Sequence, residues 1–164
     1  MRRSLPYALL SLVFLVAHTT VMKFLAVRDI TPDILVIWVV YLAIREGHIA
    51  GSTAGFFLGL MVDLLSGADG MLGLSALANA IAGFIGGYFH NENKTQQTLG
   101  GTMFLVAVGV SALLHDIVYF AIFLQGSDFG VPAMVFRYGL PTTMYTVAFA
   151  LLPMFAFART HKIS

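Results

Sequence analysis

The sequence has no cysteine and very little charge. Its 164 residues include 9 lysines and arginines and 8 aspartates and glutamates, so charged residues make up 10% of the chain. Soluble domains carry roughly 25%. The absence of cysteine excludes disulfides, thiolate metal sites and cysteine nucleophiles. A formal net charge of +1 gives no electrostatic reason to expect a nucleic-acid partner.

The sequence also lacks the motifs that mark common enzymes. It contains no HExxH helix, no GxSxG nucleophile elbow, no phosphate-binding loop and no dinucleotide fingerprint. Its 5 histidines are scattered along the chain without the spacing of a metal site. We therefore expect no enzymatic activity, no metal ion and no cofactor.

Apolar sequence is what the chain has in abundance. Hydrophobic residues make up 59% of it, and no stretch outside the apolar segments is long enough for a soluble domain. A bilayer core of about 30 Å needs about 20 apolar residues per helix. The sequence therefore predicts an all-α membrane protein with one polytopic domain over 1–164, a six-helix transmembrane bundle. The predicted helices cover approximately 5–22, 30–44, 49–65, 71–89, 99–124 and 131–157.

The first apolar segment is interpreted as a retained helix, because no clear signal-peptide cleavage site follows it. Trp38 and Tyr41 are expected to be anchors at a membrane interface. In the last helix, Pro141 predicts a kink unless the helix is tilted.

The distribution of lysine and arginine predicts the topology, because these residues gather in cytoplasmic loops. If both termini are cytoplasmic, six of the nine basic residues lie inside and three outside. The inner set is Arg2, Arg3, Arg45, Lys94, Arg159 and Lys162, and the outer set is Lys23, Arg28 and Arg137. We therefore predict cytoplasmic N- and C-termini.

The third segment carries a glycine at every fourth position, namely Gly51, Gly55 and Gly59, followed after four more residues by Asp63. Glycines four apart let two helix backbones approach closely within a membrane. This stripe is therefore predicted to be a packing face. It leaves open whether the face contacts another helix of the bundle or a partner protein.

Polar residues from five helices are predicted to share the outer leaflet. At a rise of 1.5 Å per residue, their distances from the helix ends place all of them at a similar depth. Ionisable groups at such positions are costly and usually functional. Arg137 is the only cation within the membrane at this depth, and it is therefore predicted to pair with Asp63 or Asp116. The full cluster is Asp33, Asp63, Asn79, His115, Asp116 and Arg137.

Each polar residue also has a structural interpretation. Asp33 follows a predicted Thr31 cap and sits at a helix N-terminus, where the helix dipole favours a carboxylate. Asp63 and Asp116 suit a buried ion pair or hydrogen-bond network, a partner contact, or a small-molecule or proton site. His115 is interpreted first as a packed or interfacial histidine.

Several ordered motifs resemble those of one family. They are Pro-Asp at 32–33, Gly-x-x-x-Asp-Leu-x-Ser-Gly at 59–67, Leu-Gly-Leu-Ser-Ala-Leu at 72–77, and His-Asp-Ile-Val at 115–118. In this order they resemble the MreD family of bacterial rod-shape-determining inner-membrane proteins. The resemblance covers about two thirds of the chain.

The resemblance implies a non-enzymatic scaffold or regulatory subunit of the machinery that inserts peptidoglycan along the cell cylinder, in the bacterial inner membrane. The partners it implies are MreC, RodA, a class B penicillin-binding protein and, indirectly, the MreB filament, all at the lipid bilayer.

The same resemblance implies a six-helix fold similar to the S components of energy-coupling-factor vitamin transporters. A vitamin-binding subunit is therefore the alternative, and a carrier coupled to protons or cations through Asp63 and Asp116 is a third. The first helix lacks the Ala-x-x-x-Ala docking motif of S components, and the linker at 66–70 is short. Both features favour the scaffold.

Overall fold

The computed structural model describes residues 4–26, 30–66, 71–123 and 130–160, and every regular element in these ranges is a helix. Three helices continue into irregular turns: α1 into a π turn (Ala17–Val21) and a 3₁₀ turn (Met22–Leu25), α4 into a 3₁₀ turn (Gly87–Phe89), and α7 into a π turn (Val135–Gly139) that leads to α8. The helices are α1 (Ser4–Val16), α2 (Ile34–Glu46), α3 (His48–Ser66), α4 (Leu74–Gly86), α5 (Thr95–Leu99), α6 (Thr102–Phe123), α7 (Val131–Met134) and α8 (Leu140–Thr160).

Three helices are long and apolar enough to cross a membrane: His48–Leu65, Thr102–Phe123 and Val131–Arg159. Two shorter apolar helices, Pro6–Val21 and Leu74–Phe89, accompany them. This confirms an all-helical protein with several membrane-span candidates. The six-crossing topology and the likeness to S components remain predictions.

Helix α2 is the centre of the bundle. It has 13 residues, and every residue from 34 to 44 is buried. At 1.5 Å per residue it is about 20 Å long, too short to cross a bilayer core alone. Helices α1, α3, α4, α6 and α8 all pack against it. A helix that is apolar on every side is buried within protein, and α2 follows that rule.

The N-terminus of α2 differs from the prediction. Asp33, and not Thr31, is the N-cap: its Oδ1 atom accepts hydrogen bonds from the backbone N–H groups of Leu35 (3.0 Å) and Val36 (3.1 Å). The hydrogen bonds from Leu35 and Val36 to the Asp33 carboxylate identify the cap, because the N-cap side chain accepts from the N–H groups two and three residues later. A carboxylate is also a strong N-cap.

A sharp turn joins α2 to α3. Gly47 has a φ of 92°, a region that side chains with a Cβ atom rarely occupy, and its N–H donates to the carbonyl of Ala43 at 2.9 Å. Helices α2 and α3 are therefore joined by a single-residue hinge. Of the predicted linker at 66–70, only Ser66 lies within the described residues.

Another boundary also differs from the prediction. The predicted fifth helix, 99–124, corresponds to α6, which begins at Thr102, because Gly100 and Gly101 interrupt the helical geometry between α5 and α6. In the last segment a π turn precedes Pro141, and the N–H of Leu140 donates to the carbonyl of Val135, five residues back. Pro141 has no N–H for the carbonyl four residues before it, which accounts for an irregular turn at this position.

The glycine stripe of α3 packs against α4. A Cβ atom added to Gly55 would overlap the backbone carbonyl of Asn79, and one added to Gly59 would overlap that of Ser75. At Gly51 it would overlap Ala43 of α2 and the carbonyl of Gly83. The three glycines thus let two backbones touch along the full shared length of α3 and α4. The face lies inside the bundle.

We predict that Gly55→Ala destabilises the protein by about 3 kcal/mol, the upper part of the range for overpacked cores, because the atom it meets is backbone and cannot rotate away. Gly109→Ala in α6 is the matched control. Its added Cβ atom would lie 3.4 Å from a Val147 methyl group, and alanine favours a helix over glycine by about 1 kcal/mol. Unfolding in detergent measures both variants. Equal stability for the two would contradict the packing argument.

Candidate functional site

The two ends of the bundle differ in chemistry. Arg45 lies in the last turn of α2, and the ring of His90 contacts the carbonyl of Ile44 at 2.8 Å, which places the loop carrying Lys94 at the same end. Because α5 packs on α8, Arg159 also lies there. These three are the inner cations of the predicted topology that fall within the described residues. The opposite end carries Asp33, Asp63 and Asp116, together with His18 and His115.

A cavity of about 260 Å³ at that opposite end gathers four of the six predicted cluster residues. We call it the polar pocket. Its walls come from the turn after α1, from the start of α2, and from α3, α4, α6 and α8. Its principal polar side chains are His18, Asp33, Asn79, His115, Asp116 and Tyr119.

His115 connects the two acids of the polar pocket. Its Nδ1 atom lies 3.1 Å from Asp116 Oδ1, and its Nε2 atom lies 3.9 Å from Asp33 Oδ2. The same Nε2 atom is 3.4 Å from the Nδ2 atom of Asn79. His115 is thus a member of a buried polar network, beyond the packed or interfacial histidine of the first interpretation.

His18 extends this network, and sequence reasoning did not include it. Its Nδ1 atom is 3.6 Å from Asp33 Oδ1, which is ion-pair distance for a protonated ring but too long for a hydrogen bond. The π turn that follows α1 carries His18 to this position. No spacing in the sequence indicates that turn, so nothing in the pattern marks His18.

Two threonines of α8 hold the acids in place. The hydroxyl of Thr143 donates to Asp116 Oδ2 at 3.2 Å, and the hydroxyl of Thr146 accepts from the backbone N–H of Asp33 at 2.8 Å. Residues three apart lie on one face of a helix. The spacing of Thr143 and Thr146 predicts that both hydroxyls lie on one face of α8. It does not by itself predict contact with the acids, because threonine is common in membrane helices.

Asp63 lies beside the polar pocket, but its carboxylate is occupied. The side chain is 2% exposed, and it accepts hydrogen bonds from the backbone N–H groups of Gly73 (2.9 Å), Ser75 (3.1 Å) and Ala76 (3.2 Å). These groups form the N-terminus of α4, where the helix dipole favours a negative charge. Asp63 of α3 therefore caps α4 from the neighbouring helix.

Arg137 does not join the cluster, so the predicted pairing with Asp63 or Asp116 is wrong. Among the described residues Arg137 forms no ion pair; it is exposed, and its guanidinium lies 5.5 Å from the centre of the Tyr138 ring. The physical reason is that backbone N–H groups satisfy Asp63, while His115 and a threonine satisfy Asp116. Neither acid needs a guanidinium.

An apolar cavity of about 430 Å³ opens between α1 and α8, two helices that are not among the closely packed pairs of the described chain. We call it the apolar groove, and α2 forms its floor. Four rings stack across it in the order Phe14, Trp38, Tyr41 and Phe157. The centroids of successive rings are 4.8, 5.2 and 5.3 Å apart. Trp38 and Tyr41 are therefore buried packing residues, which corrects their prediction as interfacial anchors.

The side chains of the polar pocket can bind a ligand through hydrogen bonds and charge. In the part of the chain that the structure describes, no three His, Asp or Glu side chains are placed to hold a metal ion. Two carboxylates and two imidazoles in one cavity can accept hydrogen bonds from a donor ligand or share protons.

We predict that Asp63→Asn lowers the free energy of unfolding by about 1.5–3 kcal/mol. The two charged oxygens of the carboxylate accept three N–H bonds, whereas the amide of asparagine is neutral and has a single acceptor oxygen. Asp33→Asn is the matched control, since asparagine is an equally good N-cap and keeps the bonds to Leu35 and Val36. Thermal unfolding in detergent compares the two. A loss from Asp33→Asn as large as that from Asp63→Asn would contradict the capping role.

The comparison with known families agrees with the helical architecture. Residues 1–160 match the family model described as rod shape-determining protein MreD. No curated protein and no solved structure matches the chain. The match extends over α1 and α8, which contribute little to the motif resemblance. The chain therefore belongs to the MreD family of bacterial membrane proteins, which determine rod shape and are not enzymes.

Proposed function

We propose that this protein is a membrane scaffold of the rod complex that binds MreC and helps to position or regulate the peptidoglycan synthases. Family membership carries the role in rod shape. RodA and a class B penicillin-binding protein are the synthases, and the MreB filament is linked indirectly. The polar and glycine residues act in this proposal by building a rigid bundle that presents a partner surface.

The apolar groove is the observation that supports a partner surface. Its lining is almost entirely aliphatic and aromatic, and residues of the central helix α2 form its floor between α1 and α8. Helix association in lipid depends on close shape complementarity, because lipid tails are as apolar as the side chains. A concave strip with a rigid aromatic floor offers such complementarity to a membrane-embedded segment of MreC.

The alternative function, a substrate-binding subunit of a vitamin transporter, draws on the polar pocket. Its volume of about 260 Å³ is below the roughly 300–1,000 Å³ that ligand pockets of drug-sized molecules occupy. The pocket suits a single small group better than a whole vitamin. We therefore favour the scaffold.

We predict that Leu10→Trp, which fills the apolar groove from the α1 side, lowers the amount of MreC that co-purifies from native membranes by about tenfold, a loss of about 1.4 kcal/mol. The matched control is Leu9→Trp, whose position is exposed and does not line the groove. Equal recovery of MreC with both variants would show that the groove is not the MreC site.

We also predict cytoplasmic termini. The chain has no cysteine, so a single introduced cysteine can report on one end of the bundle. Asn93 is exposed in the loop before α5, and Ala26 is exposed after the 3₁₀ turn, at the other end. In intact spheroplasts an impermeant thiol reagent should label Ala26→Cys and spare Asn93→Cys. The reverse pattern would invert the topology.

A further inference from the structure

We propose that the polar pocket binds a primary ammonium group between Asp33, Asp116 and Asn79. The first observation is an unused buried acceptor. Asn79 is 3% exposed, and its Oδ1 atom has no hydrogen-bond partner among the described residues. Its Nδ2 atom donates to the carbonyl of Ser75 at 3.0 Å, which fixes the orientation of the amide. A buried polar atom of this kind calls for a donor.

The second observation is the charge of the pocket. Asp33 and Asp116 contribute two carboxylates, and neither lysine nor arginine is among the described residues that line the cavity. His18 and His115 would both have to be protonated to neutralise them. With both carboxylates ionised and either histidine neutral the pocket is negative, so it favours a cation over an anion or a neutral molecule.

The third observation is the number and kind of acceptors. An ammonium group has three N–H donors and no acceptor, and three acceptor groups from α2, α4 and α6 line this one cavity. A quaternary ammonium has no N–H for the Asn79 oxygen. A guanidinium is a larger planar fork that suits a single carboxylate bound at two points.

Two sources could supply the ammonium: a lysine side chain of a partner protein, or a small free amine. The partner source rests on the proposed function, whereas the ammonium chemistry does not. In both cases the group reaches the pocket past His18 and Asp33, which are partly exposed.

The test uses purified full-length protein in detergent, with n-butylammonium as the probe because it reproduces the end of a lysine side chain. We expect butylammonium to raise the unfolding temperature in a saturable manner. n-Butanol, which has the same length and no charge, should leave it unchanged at equal concentration. Equal shifts with both compounds would overturn the proposal.

Two acid-to-amide variants and a control locate the site. Asp33→Asn keeps the helix cap and should weaken butylammonium binding by at least about tenfold, as should Asp116→Asn. Glu92→Gln removes an exposed acid in the loop at the opposite end and should leave the affinity unchanged. Unaltered affinity in both aspartate variants would overturn the proposal.

Co-purification separates the two sources. If a lysine of MreC occupies the polar pocket, Asp33→Asn loses MreC together with butylammonium. If a free amine does, the variant loses butylammonium and keeps MreC. Should wild-type protein bind butylammonium but never recover MreC, the proposed function fails and the ammonium site stands.

Discussion

The contact between the backbones of α3 and α4 is the constraint on which the rest of the structure depends. In lipid, burial of apolar side chains gives little drive for helices to associate, because lipid tails are equally apolar. Close backbone approach at Gly51, Gly55 and Gly59 supplies dense packing instead. Asp63 adds three charge-assisted hydrogen bonds to the start of α4 and so fixes its register against α3. Because Gly55 meets the backbone of Asn79, the same contact places Asn79 in the polar pocket.

A tight α3–α4 pair also explains why α2 is central. The hinge at Gly47 turns α3 directly back along α2, and Gly86 of α4 lies close to Val40 and Ala43. Helix α2 is therefore covered by the pair on one side and by α6 on another. On its remaining side, between α1 and α8, aromatic rings complete the contact where helix backbones do not. The groove is the consequence of a short central helix with a gap in its outer ring.

Sequence reasoning found the features that depend on residue type and local spacing. The helical class, the glycine stripe and the gathering of Asp33, Asn79, His115 and Asp116 follow from apolar length, a period of four and depth along a helix. The partners of the charges were not predictable in this way. The sequence lists side chains only, so a basic side chain, Arg137, was the partner predicted for Asp63. Its actual hydrogen-bond donors are backbone N–H groups at the start of α4, which residue types do not reveal. His18 reaches the pocket through a π turn, and Trp38 is buried because α2 is central. Neither placement can be predicted from the neighbouring residues in the sequence.

The polar pocket and the apolar groove share a wall. Leu35 lines the pocket and Ile34 lines the groove, so consecutive residues of α2 face the two cavities. The helix is capped at the pocket by Asp33 and reaches the cationic end at Arg45, whose guanidinium donates to the hydroxyl of Tyr41 at 2.6 Å. Because every residue from 34 to 44 is buried, α2 can move only if its neighbours repack. An occupant of either cavity therefore meets the same rigid element.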